Sequence, residues 1–150
     1  MDIKELHNQA MELADQGDFL KMQGNNTEAV AMYTKSLEAE KNAAIKAHEQ
    51  GIGEPTESVL FRSAASLAYT TKDYREAEKL ICMGLAGNPP VEIAEELRSL
   101  YDTVNFERSI EKMDDDEIEK KHENVTITIP TRERDLLKVL VKKFGWACIF

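Results

Sequence analysis

Apolar residues recur at helical spacing along most of this chain and at alternate positions near its end. Ile3, Leu6 and Ala10 begin the first series, and Leu97 and Leu100 belong to the last helical one. A repeat of three and four residues places apolar side chains on one face of a helix. The pattern therefore predicts five helices, over residues 2–23 and 27–49, from Thr56 or Glu57 to Thr71, from Tyr74 to a stop at Asn88, and over 91–113.

Small residues mark the helices on either side of the turn before Tyr74. Ala77 and Gly84 lie seven residues apart, so both fall on one stripe of the fourth helix, where a neighbouring helix can approach closely. The third helix supplies small residues of its own at Ala64, Ala65 and Ala68. Two prolines after Asn88 end the fourth helix, since proline cannot donate to the helical ladder. Together these features predict an antiparallel helical hairpin.

This hairpin resembles the tetratricopeptide repeat (TPR) family, whose units of about 34 residues are pairs of antiparallel helices locked by small and aromatic residues. A shift of 48 residues aligns a second copy, in which Gly24, Glu28, Ala29, Tyr33, Ser36 and Leu37 match Lys72, Glu76, Ala77, Ile81, Gly84 and Leu85. The resemblance implies a mainly α fold of TPR-like hairpin repeats with a capping helix. The stretches FRSAASLAYTTKDYREAEKL and GLAGNPPVEIAEELRSLYDTVNFER are also similar to functionally uncharacterised bacterial proteins, which implies a fold but no activity.

The first copy departs from the family pattern. Asn26 stands where the second copy has Tyr74, and no proline closes the second helix. That helix is therefore expected to run on to Gly51 and to project beyond the repeat.

The resemblance also implies a concave groove lined by the first helix of each hairpin. The residues that would project into it are Met11, Ala14, Asp18 and Lys21 from the first copy and Val59, Arg62, Ser66 and Tyr69 from the second. Ala14 and Asp18 replace the Lys and Asn clamp with which some family members hold a terminal carboxylate, which argues against that ligand. Arg62 and Tyr69 are expected either to anchor a partner, as these residue types often do, or simply to pack. The implied function is a non-catalytic scaffold that binds a peptide or protein.

Charge divides the chain at Asn124. Residues 1–123 carry 14 Lys and Arg and 26 Asp and Glu, a net charge of −12, whereas residues 124–150 carry 5 and 2, a net charge of +3. An acidic body repels nucleic acid, and a basic tail binds a polyanion, binds the chain's own acidic body or only adds solubility. The segment 114–123, DDDEIEKKHE, has little to bury and predicts a charged linker or a frayed helix end between a helical domain, 1–113, and an appendage, 124–150.

The appendage predicts a strand over 125–130, a helix from Thr131 to Gly145 and a possible second short strand. Alternating β-branched residues favour the strand. Such a small unit cannot bury its own faces, so it needs a partner surface. Its predicted interface consists of Val125, Ile127, Ile129, Leu137, Leu140, Phe144 and Trp146. The alternatives are a homodimer, docking on another protein, packing on the chain's own helices, and DNA binding, because the segment resembles the start of a ribbon-helix-helix regulator but lacks its second helix.

Candidate chemistry is sparse. His7, His48 and His122 lie in separate segments without an evident ligand set, and Cys82 and Cys148 are expected to be packed thiols. No nucleophile elbow, HExxH motif or phosphate-binding glycine loop is present. We therefore expect no enzyme activity, cofactor or metal. The polar N-terminus and the lack of a long apolar run favour a cytoplasmic protein without a membrane span.

Overall fold

The structure, a computed structural model, describes residues 1–116 and, for side chains, residues 1–111. Five α-helices follow one another: α1 (Ile3–Met22), α2 (Asn26–Glu49), α3 (Thr56–Thr70), α4 (Tyr74–Ala86) and α5 (Val91–Asp116). The prediction of a mainly α fold is confirmed for these residues. Each helix lies within three residues of its predicted bounds, and Met1–Lys112 forms one compact unit.

The first hairpin begins with a capped helix. The Asp2 side chain accepts a hydrogen bond from the Glu5 amide at 2.7 Å, and the Glu5 side chain accepts one from the Asp2 amide at 2.7 Å. This reciprocal pair satisfies two amides that the helix start would leave unpaired. α1 then packs along α2, with Ala10 and Gly17 buried in the contact.

The two hairpins close with the same turn. In each, an amide after the helix end donates at 2.9 Å to a carbonyl five residues earlier, from Asn25 to Leu20 and from Asp73 to Ala68. The residue before that amide has a positive φ, 83° at Gly24 and 61° at Lys72. Glycine adopts this conformation freely, whereas an L side chain is strained there. The 48-residue shift in the sequence therefore corresponds to one backbone turn made twice.

α2 packs against both α1 and α3. The expectation that its second half projects beyond the repeat is wrong. Ala43, Ala44 and Ala47 are fully buried and belong to the same core cluster as Phe61 of α3. Alanines let two helix backbones approach closely, so the extra turns of α2 form an interface with the second hairpin.

The second hairpin holds most of the large apolar core. Phe61, Leu80 and Ile81 are at most 2% exposed. The predicted small positions pack as expected, since Ala64, Ala65, Ala68 and Ala77 are all fully buried. Small residues at the contact between α3 and α4 thus leave room for the large side chains beside them.

α5 covers the second hairpin. Leu97 and Val104 are fully buried, and a Cβ atom added to Gly84 of α4 would lie 3.0 Å from Leu97 Cδ1. Arg108 donates to Glu78 of α4 at 2.7 Å. The helix therefore covers an apolar face of the second hairpin. It runs three residues past its predicted end at Met113.

Two other predictions about the chain have different outcomes. The expectation that Cys82 is packed is wrong. Cys82 is exposed on α4, whereas its neighbours Leu80 and Ile81 are buried. The strand and helix predicted for the appendage, its seven interface residues and Cys148 lie outside the described residues. Among the described helices, none combines the length and apolar character that a membrane crossing requires.

Candidate functional site

Three of the predicted groove residues share one stripe of α3. Arg62, Ser66 and Tyr69 are spaced by four and three residues, so they lie one above another along the helix. Ser66 is exposed, whereas Arg62 and Tyr69 are partly buried. The Ser66 hydroxyl donates to the Arg62 carbonyl at 3.0 Å, one turn earlier in the same helix. The α3 stripe, which is the name used below for these three residues, thus offers a cation, a hydroxyl and an aromatic ring.

An ion pair holds Arg62 in place. Its guanidinium Nη1 lies 2.5 Å from a carboxylate oxygen of Glu96 on α5. The Arg62 side chain is 31% exposed and the Glu96 side chain 54%. A pair this open to water contributes little to stability, at most about 1 kcal/mol. It fixes the arginine against α5 and leaves a partner able to compete for the guanidinium.

Tyr69 is supported by a second aromatic ring. Its ring centroid lies 6.0 Å from that of Tyr74, with the planes tilted by 41°. Tyr74 is 8% exposed, and burial together with the charges of Glu111 and Glu107 raises its pKa. The contact orders the Tyr69 ring without covering it, because Tyr69 remains partly exposed.

In the described hydrogen bonds and ion pairs, the groove residues predicted on α1 are not connected to the α3 stripe. Asp18 and Lys21 are both exposed. Asp18 accepts a 2.5 Å hydrogen bond from the Tyr33 hydroxyl, and this bond, with burial, raises the pKa of Tyr33 to about 12. Within residues 1–111, no described hydrogen bond or ion pair joins Asp18 or Lys21 to the α3 stripe. The other predicted lining residues, Met11, Ala14 and Val59, are partly buried.

Sequence reasoning missed a buried carboxylate between α1 and α2. Glu40 is fully buried, and both of its oxygens lie near His7 Nδ1, at 2.9 and 3.1 Å. Burial raises the pKa of Glu40, while hydrogen bonds from His7 and Ser63 act in the opposite direction. The signal was present, because Glu40 follows Ser36 and Tyr33 by four and seven residues on the inward stripe of α2. A carboxylate there must find a partner.

The second histidine also pairs with a carboxylate. His48 Nδ1 lies 3.0 Å from Glu57, whose pKa is lowered by this hydrogen bond and by one from the Gly53 amide. His7 and His48 thus each lie beside a carboxylate, but neither pair amounts to a ligand set. Each has one carboxylate and no more, and in the part of the chain that the structure describes no group of three His, Cys, Asp or Glu side chains converges as a metal site would require.

Comparison with known proteins identified no relative of this chain. The chain matched no protein family model, no curated protein and no solved structure. The likeness to tetratricopeptide repeats therefore rests on the sequence pattern quoted above and stays a prediction, whereas the five helices and their contacts stand on the structure itself.

Proposed function

We propose that this chain is a non-catalytic scaffold that binds a peptide or protein along the α3 stripe. The observation that carries the proposal is the state of Arg62 and Tyr69. Both are partly exposed, and both are already ordered by contacts within the chain, with Glu96 and with Tyr74. Side chains that are held before binding lose less conformational entropy when a partner arrives.

The residue types on the stripe also favour binding over catalysis. Arginine and tyrosine are enriched among residues that dominate binding energy, because each combines a large contact area with directional hydrogen bonds. Among the described hydrogen bonds, none joins the Ser66 hydroxyl to a side chain that could act as a general base, since this hydroxyl donates to a helix carbonyl. The stripe thus has the composition of a recognition surface.

A capture experiment tests the proposal. The full chain with Arg62→Ala and Tyr69→Ala is compared with wild type for the proteins it retains from a native lysate. The matched control carries Arg98→Ala and Tyr101→Ala, an Arg and Tyr pair on α5 of which Arg98 is 59% exposed. We expect one or more proteins to be lost with the first variant and kept with the control. Identical sets from all three chains would contradict the assignment.

We also propose that residues 124–150 form an oligomerisation or docking segment. The support is their sequence, in which Val125, Ile127 and Ile129 alternate with threonines ahead of an apolar and basic helical pattern. Light scattering at about 100 micromolar, on the full chain and on a chain ending at His122, tests self-association. A larger mass for the full chain alone supports the homodimer, and equal monomer masses exclude it and leave docking.

A DNA-binding regulator is the competing function. The net charge of +3 on residues 124–150 favours it, whereas the net charge of −12 on residues 1–123 opposes it. Binding to mixed duplex DNA that weakens steeply as salt rises would support this function, because phosphate contacts release counterions. Absence of binding at tens of micromolar protein in low salt would exclude it.

A further inference from the structure

A second exposed surface runs along α1. Six exposed residues follow one another at steps of three and four, so they form a single line on the helix. This outer stripe of α1 consists of Glu5, Asn8, Glu12, Asp15, Phe19 and Met22. Ala10 and Gly17, which face α2, lie on the other side of the helix. The outer stripe is thus separate from the contact that holds the first hairpin together.

The C-terminal end of the outer stripe is apolar. Phe19 is 62% exposed and Met22 is 87% exposed, although both are large apolar side chains. Phe19 borders an open cavity of about 410 Å³, which Asp15, Gln16 and Leu20 also line. Exposed aromatic and methionine side chains beside a concavity are typical of binding surfaces.

The N-terminal part of the outer stripe is acidic. Asp15 and Glu12 lie one and two turns before Phe19, and no ion pair described within residues 1–111 involves either of them. Residues 1–111 as a whole carry 11 Lys and Arg and 20 Asp and Glu, a net charge of −9, so the electrostatic field around the outer stripe is negative as well. The occupant of this stripe must therefore bring positive charge next to its apolar side chains.

We infer that the outer stripe of α1 binds a basic amphipathic helix of a partner protein. Apolar side chains of that helix would cover Phe19 and Met22, and Lys or Arg one and two turns away would face Asp15 and Glu12. Grooves and helix faces recognise amphipathic helices through this spacing. Contact between the outer stripes of two copies is disfavoured, because both bring the same negative charges. The inference does not depend on the α3 stripe.

A designed peptide is the probe. It has about 18 residues of Leu, Ala and Lys, with leucines on one helical line and lysines beside it, and a matched peptide carries Glu for every Lys. Fluorescence anisotropy measures the binding of each to the full chain. We expect the lysine peptide to bind with a Kd about tenfold or more below that of the glutamate peptide, and its affinity to fall as salt rises.

Variants then locate the binding. Phe19→Ala with Met22→Ala is expected to weaken the lysine peptide about tenfold. Glu12→Gln with Asp15→Asn is expected to weaken it several-fold and to reduce its salt dependence. Phe106→Ala is the matched control, because Phe106 is 64% exposed on α5, and it is expected to leave the affinity unchanged. Circular dichroism confirms that each variant keeps its helices.

Three results would overturn the inference. The first is equal affinity for both peptides, and the second is an equal loss of affinity for the lysine peptide with Phe106→Ala and Phe19→Ala. The third is self-association of the full chain that Phe19→Ala abolishes, because a second copy would then be the occupant. The variant Arg62→Ala with Tyr69→Ala is expected to bind the lysine peptide normally. Failure of the α3 stripe as a binding site is thereby distinguished from failure of the outer stripe.

Discussion

The two hairpins share a backbone turn and differ in the chemistry that holds their helices together. Between α1 and α2, hydrogen bonds accompany the small buried residues: Tyr33 donates to Asp18, the Ser36 hydroxyl donates to the Ala10 carbonyl at 2.7 Å, and His7 pairs with Glu40. Between α3 and α4 the contacts are alanines and large apolar side chains.

Because of this difference, the stability of the two hairpins is expected to respond to different changes. Buried hydrogen bonds depend on geometry and protonation, so the first hairpin is expected to respond to pH and to added bulk near its polar contacts. Apolar packing depends on volume, so the second hairpin is expected to respond to cavities. The predictions below test this contrast.

The largest effect is expected from a cavity in the second hairpin. Phe61 is 2% exposed, and Phe61→Ala is expected to lower the free energy of unfolding by about 3–5 kcal/mol. Phe106→Ala, at an exposed site, is expected to change it by less than about 0.5 kcal/mol. Urea unfolding followed by circular dichroism measures both. A loss below about 1 kcal/mol for Phe61→Ala would show that this core is not tightly packed.

Added bulk should damage the first hairpin more than the second. A Cβ atom at Gly17 would lie 2.7 Å from Tyr33 Cε1, whereas one at Gly84 would lie 3.0 Å from Leu97 Cδ1 and 3.1 Å from Phe61 Cβ. Gly17→Ala is expected to cost about 1–3 kcal/mol despite the helix propensity that alanine gains, because the Tyr33 ring is held by Asp18. Gly84→Ala is expected to cost less.

Rescue separates this clash from other causes. Tyr33→Leu removes the ring, so the double variant Gly17→Ala with Tyr33→Leu is expected to be no less stable than Tyr33→Leu alone. Urea unfolding of the four chains forms a double-mutant cycle. Purely additive effects would mean that the Tyr33 ring is not the obstacle.

Protonation of Glu40 should make the first hairpin dependent on pH. Because burial raises the pKa of Glu40 in the folded chain, its contribution to stability is present below the unfolded pKa of about 4.3 and is lost as pH rises through the folded pKa. Wild type is therefore expected to lose stability relative to Glu40→Gln as pH rises above the unfolded pKa of about 4.3. Urea unfolding at several pH values measures the difference.

An exposed glutamate on the same helix is the control for this titration. Glu49→Gln is expected to differ from wild type by a constant amount over the same pH range, because Glu49 is exposed. If Glu40→Gln also differs from wild type by a constant amount, the pKa of Glu40 is the same in the folded and the unfolded chain and the proposed linkage is wrong.

The smallest effect concerns the shared turn. Lys72 has a φ of 61°, where an L side chain is strained, and Gly24 has 83° in the first hairpin. Lys72→Gly is expected to stabilise the chain by up to about 1 kcal/mol, and Gly24→Ala to destabilise it by about 1 kcal/mol. Lys72→Ala is the control and should bring no such gain, since it keeps a Cβ atom. Thermal unfolding resolves these changes.

Much of the fold could be predicted because helices are specified locally. The start of α3 at Thr56, the stop after α4 and the small residues on the facing sides of α3 and α4 follow from periodicity, proline and residue size. Cys82 shows where this reasoning weakens. Cysteine is often buried in proteins, but on α4 the neighbours of Cys82 face inward and Cys82 itself does not.

The candidate sites were predictable only as positions on a helix. Periodicity places Arg62, Ser66 and Tyr69 on one stripe, but it does not show that Glu96, 34 residues later, pairs with Arg62. Likewise, an inward position for Glu40 does not name His7, 33 residues earlier, as its partner. The exposure of Phe19 and Met22 follows only once the faces of α1 that contact α2 are known.

Local features of the sequence were enough to predict five helices, two matching turns and an acidic body, because hydrophobic periodicity, glycine and proline act over a few residues and charge is a simple count. Tertiary structure alone decided that the second half of α2 is buried instead of projecting, which carboxylates found partners, and which apolar side chains on α1 stayed exposed. Those outcomes depend on how closely two helix backbones approach and on which distant side chains meet there, and neither quantity is encoded in the spacing along any one helix.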